Sequence, residues 1–310
     1  MPVLGPLSFT LEVPSLDEGV RFYTDAGLQV VRETKIAKFR CGSQQRDSIV
    51  LIESGRRKTF HHLALRASEL DVIAAHVPAA GGKVIPSPAG FEERGLWVED
   101  PFGIVYNLVD LPADNEAEAR SPFAINAPGR IVRTRRPAVL PAHTYAPVRP
   151  EKLGHVVLFT PDVMTSVRFV VEALGMGLAD HAQDFVAFTC AVKNSDHHVV
   201  AFAKSPGIGF HHASFQLHDP DEVGRGGNEL LSKAGRGGWG FGRHTVGSNY
   251  FYYVQDPWGS WIEYYSDMDY IDDHAQWTPT NYGPSDGMAN WAPQVPDDFI
   301  RNYEVESESA

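Results

Sequence analysis

Several features that define common protein classes are scarce or missing in this sequence. Its 310 residues include only two cysteines, Cys41 and Cys190, and no Cys-x-x-Cys pair, which excludes a disulfide framework. Lysine and arginine number 27 against 39 acidic residues, and the net charge of −12 argues against a nucleic-acid partner, because phosphate binding needs concentrated positive charge. P-loop, dinucleotide-binding and nucleophile-elbow motifs are also absent.

Long hydrophobic segments are missing too. No apolar run approaches the ~18 residues that a membrane span requires. The opening residues, MPVLGPLSF, lack the basic and apolar regions of a signal peptide. We therefore expect a soluble, cytoplasmic protein without a membrane partner, whose length is about twice that of a usual ~150-residue domain.

Histidine, by contrast, is abundant and clustered. Eight of the 13 histidines fall within 90 residues of the second half: His155, His181, His197, His198, His211, His212, His218 and His244. Because imidazole is the commonest transition-metal ligand, this clustering points to a site in that half.

Composition divides the chain into four parts. Residues 112–150 hold seven of the 22 prolines, which is typical of an extended interdomain connector. This connector separates an N-terminal domain, 1–111, from a C-terminal domain, 151–270. The last part, 271–310, keeps aromatic residues at a density unusual for disorder, so we expect it to pack back on the body.

The two domains are repeats of each other. Asp100-Pro-Phe-Gly matches Asp256-Pro-Trp-Gly, and FHHLAL from Phe60 matches FHHASF from Phe210. The stretch that begins at Leu7 matches the one that begins at Leu153. Each half divides again into two units that start with a short strand followed by a helix. The pattern predicts an α+β fold of four βαββ(β) units arranged in two pairs.

Local signals mark the helix starts and one loop motif. Ser15 with Glu18 predicts a capping box, Asp162 predicts an N-cap, and Asp219 followed by Pro220 predicts a third helix start. Gly-Arg-Gly-Gly occurs at 224–227 and again at 235–238, where we interpret both copies as loops that flank a helix.

Comparison of the halves indicates where the chemistry lies. The second half offers His155, the pair His211-His212, and Glu263 after the Pro-Trp-Gly turn. The corresponding first-half positions are Phe9, His61-His62 and Asn107. Two imidazoles and one carboxylate form the facial triad of non-haem Fe(II) oxygenases, which leaves open positions for substrate and O₂. The same donors suit Mn(II), so the sequence leaves the metal open.

The stretch from His244 to Glu263, His-Thr-Val-Gly-Ser-Asn-Tyr-Phe-Tyr-Tyr-Val-Gln-Asp-Pro-Trp-Gly-Ser-Trp-Ile-Glu, resembles the signature of the type I extradiol ring-cleavage dioxygenases. These enzymes belong to the vicinal oxygen chelate superfamily, whose glyoxalase-like fold pairs βαβββ modules. The resemblance covers about residues 7–270. It departs from the family at Tyr252, where an aliphatic residue or Phe is preferred, and at Val246, where biphenyl-type members have asparagine.

The resemblance implies a role for each site residue. Metal ligands are expected at His155, His212 and Glu263, and the acid–base histidine at His198. His244 and Tyr253 are expected to hydrogen-bond the substrate hydroxyls. Because consecutive strand residues point to opposite faces, only one histidine of each adjacent pair should enter the site. Physical reasoning leaves the choice between His211 and His212, and between His197 and His198, open; the family pattern selects the second of each pair.

The implied reaction is the Fe(II)-dependent meta cleavage of a catechol-type aromatic diol with O₂ to a muconic semialdehyde-type product. The partners are then a small aromatic diol and, we expect, further copies of the chain. Two alternatives remain: a hydroquinone-cleaving or glyoxalase-type relative, and a metal-free ligand-binding module of the same superfamily. The substrate stays open, because five aromatic residues suit either a pocket wall or the core: Phe188, Trp239, Phe241, Tyr250 and Trp261.

Overall fold

The computed structural model describes residues 3–42, 44–91, 94–112, 129, 131–133, 137 and 139–305. Much of the predicted connector, 112–150, therefore lies outside the described residues. These residues include four α-helices: α1 Leu16–Asp25, α2 Leu70–His76, α3 Val163–Glu172 and α4 Pro220–Ala234. Within the described residues, no helix is long and apolar enough to cross a membrane.

The strands of the first half belong to two βαβββ modules. The strands of the second half follow them in the chain. They are β1 Val3–Val13, β2 Gln29–Arg32, β3 Ile36–Arg40, β4 Ile49–Glu53, β5 Thr59–Ala67, β6 Lys83–Val84, β7 Leu96–Glu99 and β8 Val105–Val109. The later strands are β9 Lys152–Thr160, β10 Gly177–Ala182, β11 Val186–Cys190, β12 Lys193–Asp196, β13 Val200–Lys204, β14 Gly209–Gln216, β15 Gly238–His244, β16 Tyr250–Gln255, β17 Trp261–Ser266, β18 Tyr270–Asp273 and β19 Ala289–Trp291.

Apart from β12 and β18, which pair with each other, these strands form two large sheets that share one topology except for the additional β19 in the second. The first has the order β2-β3-β4-β1-β5-β8-β7-β6, and the second β10-β11-β13-β9-β14-β17-β16-β15-β19. In each sheet two modules join through an antiparallel central pair, β1 with β5 and β9 with β14. Parallel strands flank that pair on both sides. The predicted α+β fold of paired βαβββ modules is confirmed.

Two of the three predicted helix caps are present. The Asp162 carboxylate accepts a hydrogen bond from the Thr165 N–H, and the Asp219 carboxylate accepts one from the Glu222 N–H. The predicted capping box at Ser15 is wrong, because its side chain makes no cap bond. The carboxylate of Glu53 on neighbouring β4 accepts from the Leu16 N–H instead, so a tertiary contact replaces the local one.

The loop interpretation of 224–227 is also wrong, because these residues lie inside α4. A side chain at Gly227 would collide with the Tyr252 ring, and one at Gly226 would crowd Val148. Here glycine allows a helix to approach the sheet closely, which outweighs its low helix propensity. In the second copy, Gly235 ends α4 with φ of 60°.

The C-terminal residues lie against both sheets. Strand β18 pairs with β12, and β19 extends the second sheet beyond β15. The Glu304 carboxylate accepts from the N–H groups of Phe60 in the first sheet and Phe210 in the second, at 2.6 and 2.9 Å. It also forms an ion pair with Lys58 at 2.8 Å, and both side chains are buried. This buried charge therefore ties the segment around Glu304 to the junction of the two sheets.

Candidate metal centre and substrate cavity

Three central strands of the second sheet carry the predicted metal ligands. In the register of the sheet, Ser214 on β14 lies opposite His155 on β9 and opposite Glu263 on β17. His212 lies two residues before Ser214, and residues two apart share a face. The sheet thus brings all three side chains to one side.

The donor atoms of this triad are close enough to share one ion. His155 Nε2 is 3.0 Å from Glu263 Oε2, His212 Nε2 is 3.5 Å from the same oxygen, and the two nitrogens are 3.4 Å apart. With metal–ligand bonds of about 2.1 Å, adjacent ligands of an octahedron lie about 3.0 Å apart and opposite ones about 4.2 Å. All three separations are of the adjacent kind, so the triad is facial.

The surroundings of Glu263 fit a metal ligand. The Asn249 side-chain N–H donates to Oε1 at 3.1 Å, whereas the buried Oε2 faces the Nε2 atoms of His155 and His212. Burial alone would raise the pKa of Glu263, but the imidazoles of His155 and His212 lower it well below its ordinary value. Burial lowers the pKa of His212 to about 4. An ionised carboxylate and a neutral imidazole are the forms that bind metals.

Both His211 and His212 reach the cavity, so the expectation that only one histidine of this pair enters the site is wrong. A register shift between Phe210 and His212 makes His211 a bulge residue. The two rings then lie side by side, with their Nδ1 atoms 2.6 Å apart. His212 Nε2 faces the other two members of the triad, His155 and Glu263, while the His211 ring contacts Phe299 edge-on. His197 and His198 lie between strands, where alternation does not apply; His198 lines the cavity and His197 lies behind it.

His198 lies directly beside the triad. Its ring centroid is 4.1 Å from that of His155, and its side chain is almost fully buried. Burial lowers the pKa of His198 well below its ordinary value, and the neighbouring imidazole of His155 lowers it further. The ring is therefore neutral, with one nitrogen free to accept a proton.

His244 and Tyr253 form a hydrogen-bonded pair close to the triad. His244 Nδ1 lies 3.0 Å from the carbonyl oxygen of Met288, so its Nδ1–H donates to that oxygen. The Tyr253 hydroxyl lies 3.0 Å from the other ring nitrogen, Nε2. Burial, then the charge of Glu263, raises the pKa of Tyr253 well above its ordinary value, so the phenol stays protonated. The structure thus places all six predicted site residues together.

A cavity of about 320 Å³ opens over the triad. Its far wall is apolar, and the C-terminal residues contribute part of it, including Met288, Phe299 and Ile300. Of the aromatic residues left open by the sequence, Phe188 and Trp239 line this cavity. Phe241 stacks on Tyr250, and Trp261 packs in a core cluster. No lysine or arginine lines the cavity in the described part of the chain.

The first sheet holds a filled counterpart of this site. The N–H groups of Phe9 and Val156 make equivalent hydrogen bonds to the carbonyl groups of Ser48 and Val199. Ser8 pairs with Ala64 as His155 pairs with Ser214. The counterpart of His155 is therefore Ser8, one residue before the Phe9 predicted from the alignment. Phe9 points into the core, where it stacks on Phe210.

His62, the counterpart of His212, is enclosed by aromatic rings. The rings of Phe91 and Trp97 each lie 4.8 Å from it. Asn107 donates to the carbonyl of Arg94 instead of facing His62. Among the described residues, the only cluster of three or more potential metal ligands is His155, His212 and Glu263.

Comparison with known proteins agrees with this geometry. Residues 152–264 match the model of the Glyoxalase/Bleomycin resistance protein/Dioxygenase superfamily. Metapyrocatechase 2 from Cupriavidus necator is 37% identical over 307 residues, which cover 96% of this chain and 91% of that protein. The fold and the facial triad define a member of this superfamily. Within it, the chain belongs to the family of the extradiol ring-cleavage dioxygenases.

Solved structures share the fold. A Mn(II)-bound glyoxalase from Novosphingobium aromaticivorans has a TM-score of 0.75 at 24% identity, covering 96% of this chain and 94% of that one. The 2,2′,3-trihydroxybiphenyl 1,2-dioxygenase from Sphingomonas wittichii has a TM-score of 0.71 at 20% identity, covering 95% of this chain and all of that one.

Proposed function

We propose that this protein is an Fe(II)-dependent extradiol dioxygenase that cleaves a catechol-type diol with O₂ beside its hydroxyl groups. The product is a muconic semialdehyde or its ketone analogue. The observation that carries the proposal is the facial arrangement of two imidazoles and one carboxylate at the base of an apolar cavity. We assign catalysis to residues 151–270, with part of the cavity wall supplied by residues beyond 270. The domain of residues 1–111 has no metal site among its described residues.

His155, His212 and Glu263 would hold the metal. A divalent ion bound there would orient both diol oxygens and O₂ and lower the pKa of the substrate hydroxyls. A single carboxylate leaves a net positive charge, which favours an anionic substrate. The donor set suits Mn(II) as well as Fe(II); we propose Fe(II), because O₂ chemistry on a triad with open positions is typical of it.

The chain's own groups would bind the diol and move its protons. The Tyr253 hydroxyl and His244, already linked at 3.0 Å, lie where a substrate hydroxyl would meet them. His198 lies beside His155 on another side of the cavity. We assign to His198 the acceptance of one diol proton and its later return, which is general acid–base catalysis.

The cavity wall favours a diol whose ring substituent is uncharged. Apolar side chains such as Phe185, Val186 and Ile300 line it, and among the described residues no lysine or arginine lines it to pair with a carboxylate. Burying a carboxylate without a positively charged partner costs roughly several kcal/mol. We therefore propose a diol with an apolar ring substituent in preference to a carboxylated catechol.

The alternatives have less support. A glyoxalase-type site usually has a fourth protein ligand, and no fourth member joins the triad in the described part of the chain. A metal-free binding module has no need of a buried carboxylate facing two imidazoles.

Anaerobic loading with Fe(II) or Mn(II), followed by O₂ uptake and absorbance with a panel of substrates, tests the proposal. We expect yellow product from catechol and 2,3-dihydroxybiphenyl, with kcat/KM at least ten-fold lower for 3,4-dihydroxybenzoate. Turnover of hydroquinone alone, or of a glutathione hemithioacetal, would replace the proposed reaction. Tight diol binding by protein that takes up no metal would favour the binding module. Light scattering tests the predicted homo-oligomer.

A further inference from the structure

We propose that Asp180 and His197 form a buried relay that holds His198 in the tautomer whose unprotonated Nε2 faces the cavity. Both act as positioning residues, because neither touches the reacting atoms. The inference rests on the role proposed above for His198, and it adds two residues that the family signature does not contain.

The relay is a line of three side chains. Asp180 Oδ2 lies 2.9 Å from His197 Nε2, and His197 Nδ1 lies 3.1 Å from His198 Nδ1. All three residues are buried, and His197 has no exposed surface. His198 alone lines the cavity, so the line runs from Asp180, behind the wall, to the site.

The positions of the protons follow from the chemistry of the groups. In the proposed relay each imidazole carries a single ring hydrogen. A carboxylate can only accept, so the hydrogen of His197 is on Nε2 and its Nδ1 is an acceptor. His198 must then place its hydrogen on Nδ1 to donate to His197. Its Nε2 consequently carries a lone pair and no hydrogen. The other tautomer of His198 would set two lone pairs against each other at 3.1 Å.

This tautomer is the one that a base at His198 requires. A diol O–H proton moves to Nε2, which gives an imidazolium at His198 and an oxygen anion on the diol. The imidazolium already donates through Nδ1 to His197, which donates to the Asp180 carboxylate. Its positive charge is therefore stabilised without the transfer of a second proton, and the same Nε2–H can later return the proton to a product oxygen.

Contacts around the relay hold it in place. A register shift between Leu178 and Asp180 marks a bulge in β10, and bulges re-aim side chains. Asp180 Oδ1 accepts from the Thr280 N–H at 2.6 Å. The Trp277 ring packs edge-on against His197, 5.5 Å between centroids. The C-terminal segment thus encloses the relay as well as the cavity.

The bond from Thr280 makes Asp180→Asn a sharp test. Only an oxygen can accept from the Thr280 N–H, so the asparagine Oδ1 occupies that place and its NH₂ group faces His197 Nε2. That group donates, which moves the His197 hydrogen to Nδ1 and the His198 hydrogen to Nε2. We expect kcat to fall about 10²–10⁴-fold, with metal content and KM within about two-fold of the wild type. The corresponding Asp-to-Asn change in a Ser-His-Asp triad lowers kcat by about 10⁴-fold.

Two controls separate positioning from damage to the structure. Asp184→Asn, in the same hairpin but exposed and paired with Lys204, should leave kcat unchanged. In a His198→Phe background, Asp180→Asn should lower kcat no further, because the relay has nothing left to orient. An additive loss in that background, or a loss confined to KM or metal content, would overturn the proposal.

A direct measurement does not depend on turnover. In the full-length metal-free protein labelled with ¹⁵N-histidine, His198 Nε2 should have the ¹⁵N chemical shift of an unprotonated nitrogen. The signal is assigned to His198 because it disappears in the His198→Phe variant. The Asp180→Asn variant should show a protonated Nε2. Protonated Nε2 in the wild type would refute the relay. If Asp180→Asn does not fold, His197→Phe replaces it, and should leave His198 as a mixture of tautomers. If the protein turns over no diol, the proposed function is wrong. The measurement of the His198 tautomer still tests the relay independently of that result.

Discussion

Nε2 of His155 lies 3.0 Å from Oε2 of Glu263, although the two residues are 108 positions apart in the chain. Strands β9 and β17 are not neighbours, and β14 lies between them. The pair therefore depends on the register of three strands at once. The same register brings His212 Nε2 within 3.5 Å of that oxygen and aligns three donor atoms on one side of the sheet.

This geometry predicts one metal per chain. His155→Ala, His212→Ala or Glu263→Ala should each remove most of the metal and abolish ring cleavage, because two donors cannot hold the ion. His62→Ala, the matched change in the first sheet, should retain both within about two-fold. Elemental analysis and O₂ uptake measure the two outcomes. Two metals per chain, or an active Glu263→Ala variant, would contradict the assignment.

Replacement of the proposed acid–base residue should separate binding from turnover. His198→Phe should keep the metal and bind a diol anaerobically, because His198 lies beside the triad and outside it. Its kcat should fall about 10²–10⁴-fold, the usual contribution of acid–base catalysis. Single-turnover kinetics and metal analysis check this. Loss of the metal would show that His198 is a ligand instead.

The buried ion pair at the end of the chain should contribute to stability. Glu304→Gln leaves the Lys58 ammonium buried without an anion, which typically costs about 3–5 kcal/mol. Adding Lys58→Met to that variant should recover part of the loss. The exposed pair between Lys83 and Glu99 is the control, since Glu99→Gln should cost at most about 1 kcal/mol. Urea unfolding gives all three values, and equal effects at the two sites would contradict the prediction.

Acid should destabilise the first domain through His62. Burial, then the charge of His61, lowers the pKa of His62 to about 3, so the unfolded chain binds a proton that the native state refuses. The resulting stability is complete above pH ~6.5 and is lost as the pH falls towards about 3, at about 1.4 kcal/mol per pH unit. His62→Phe should therefore show a weaker pH dependence of unfolding between pH 7 and 5. His76→Gln, at an exposed position, should behave as the wild type does.

Two glycines of α4 should respond oppositely to alanine. At Gly224 the nearest side-chain atom to an added Cβ is 3.8 Å away, on Phe241, so alanine should stabilise by about 0.5–1 kcal/mol. At Gly227 the added Cβ would collide with the Tyr252 ring, so alanine should destabilise. Melting temperatures distinguish them. A shift of the same sign at both would show that propensity, and not contact with the sheet, decides.

The amino-acid sequence by itself determined the duplication and the α+β class, and it limited the candidate ligands to His155, the pair His211-His212 and Glu263. Those features are visible because they repeat in pattern: strand followed by helix, the turn at Asp100 and again at Asp256, and a candidate ligand set present in one copy only. Two of three helix caps were also predictable, because Asp162 and Asp219 act on backbone groups three residues away. Such interactions are local and need no knowledge of the fold.

Tertiary structure alone decided the features that depend on register and on distant contacts. Alignment of the two halves made Phe9 the counterpart of His155, but the strand pairing makes Ser8 the counterpart. A single bulge is enough for this difference, because it moves every later side chain to the other face of the strand. The bulge at His211 likewise lets two adjacent histidines share one cavity. Asp180 reaches His197 only because β10 and the residues before β13 come together around Trp277 and Thr280. No spacing in the chain signals that approach, since packing between distant segments sets it.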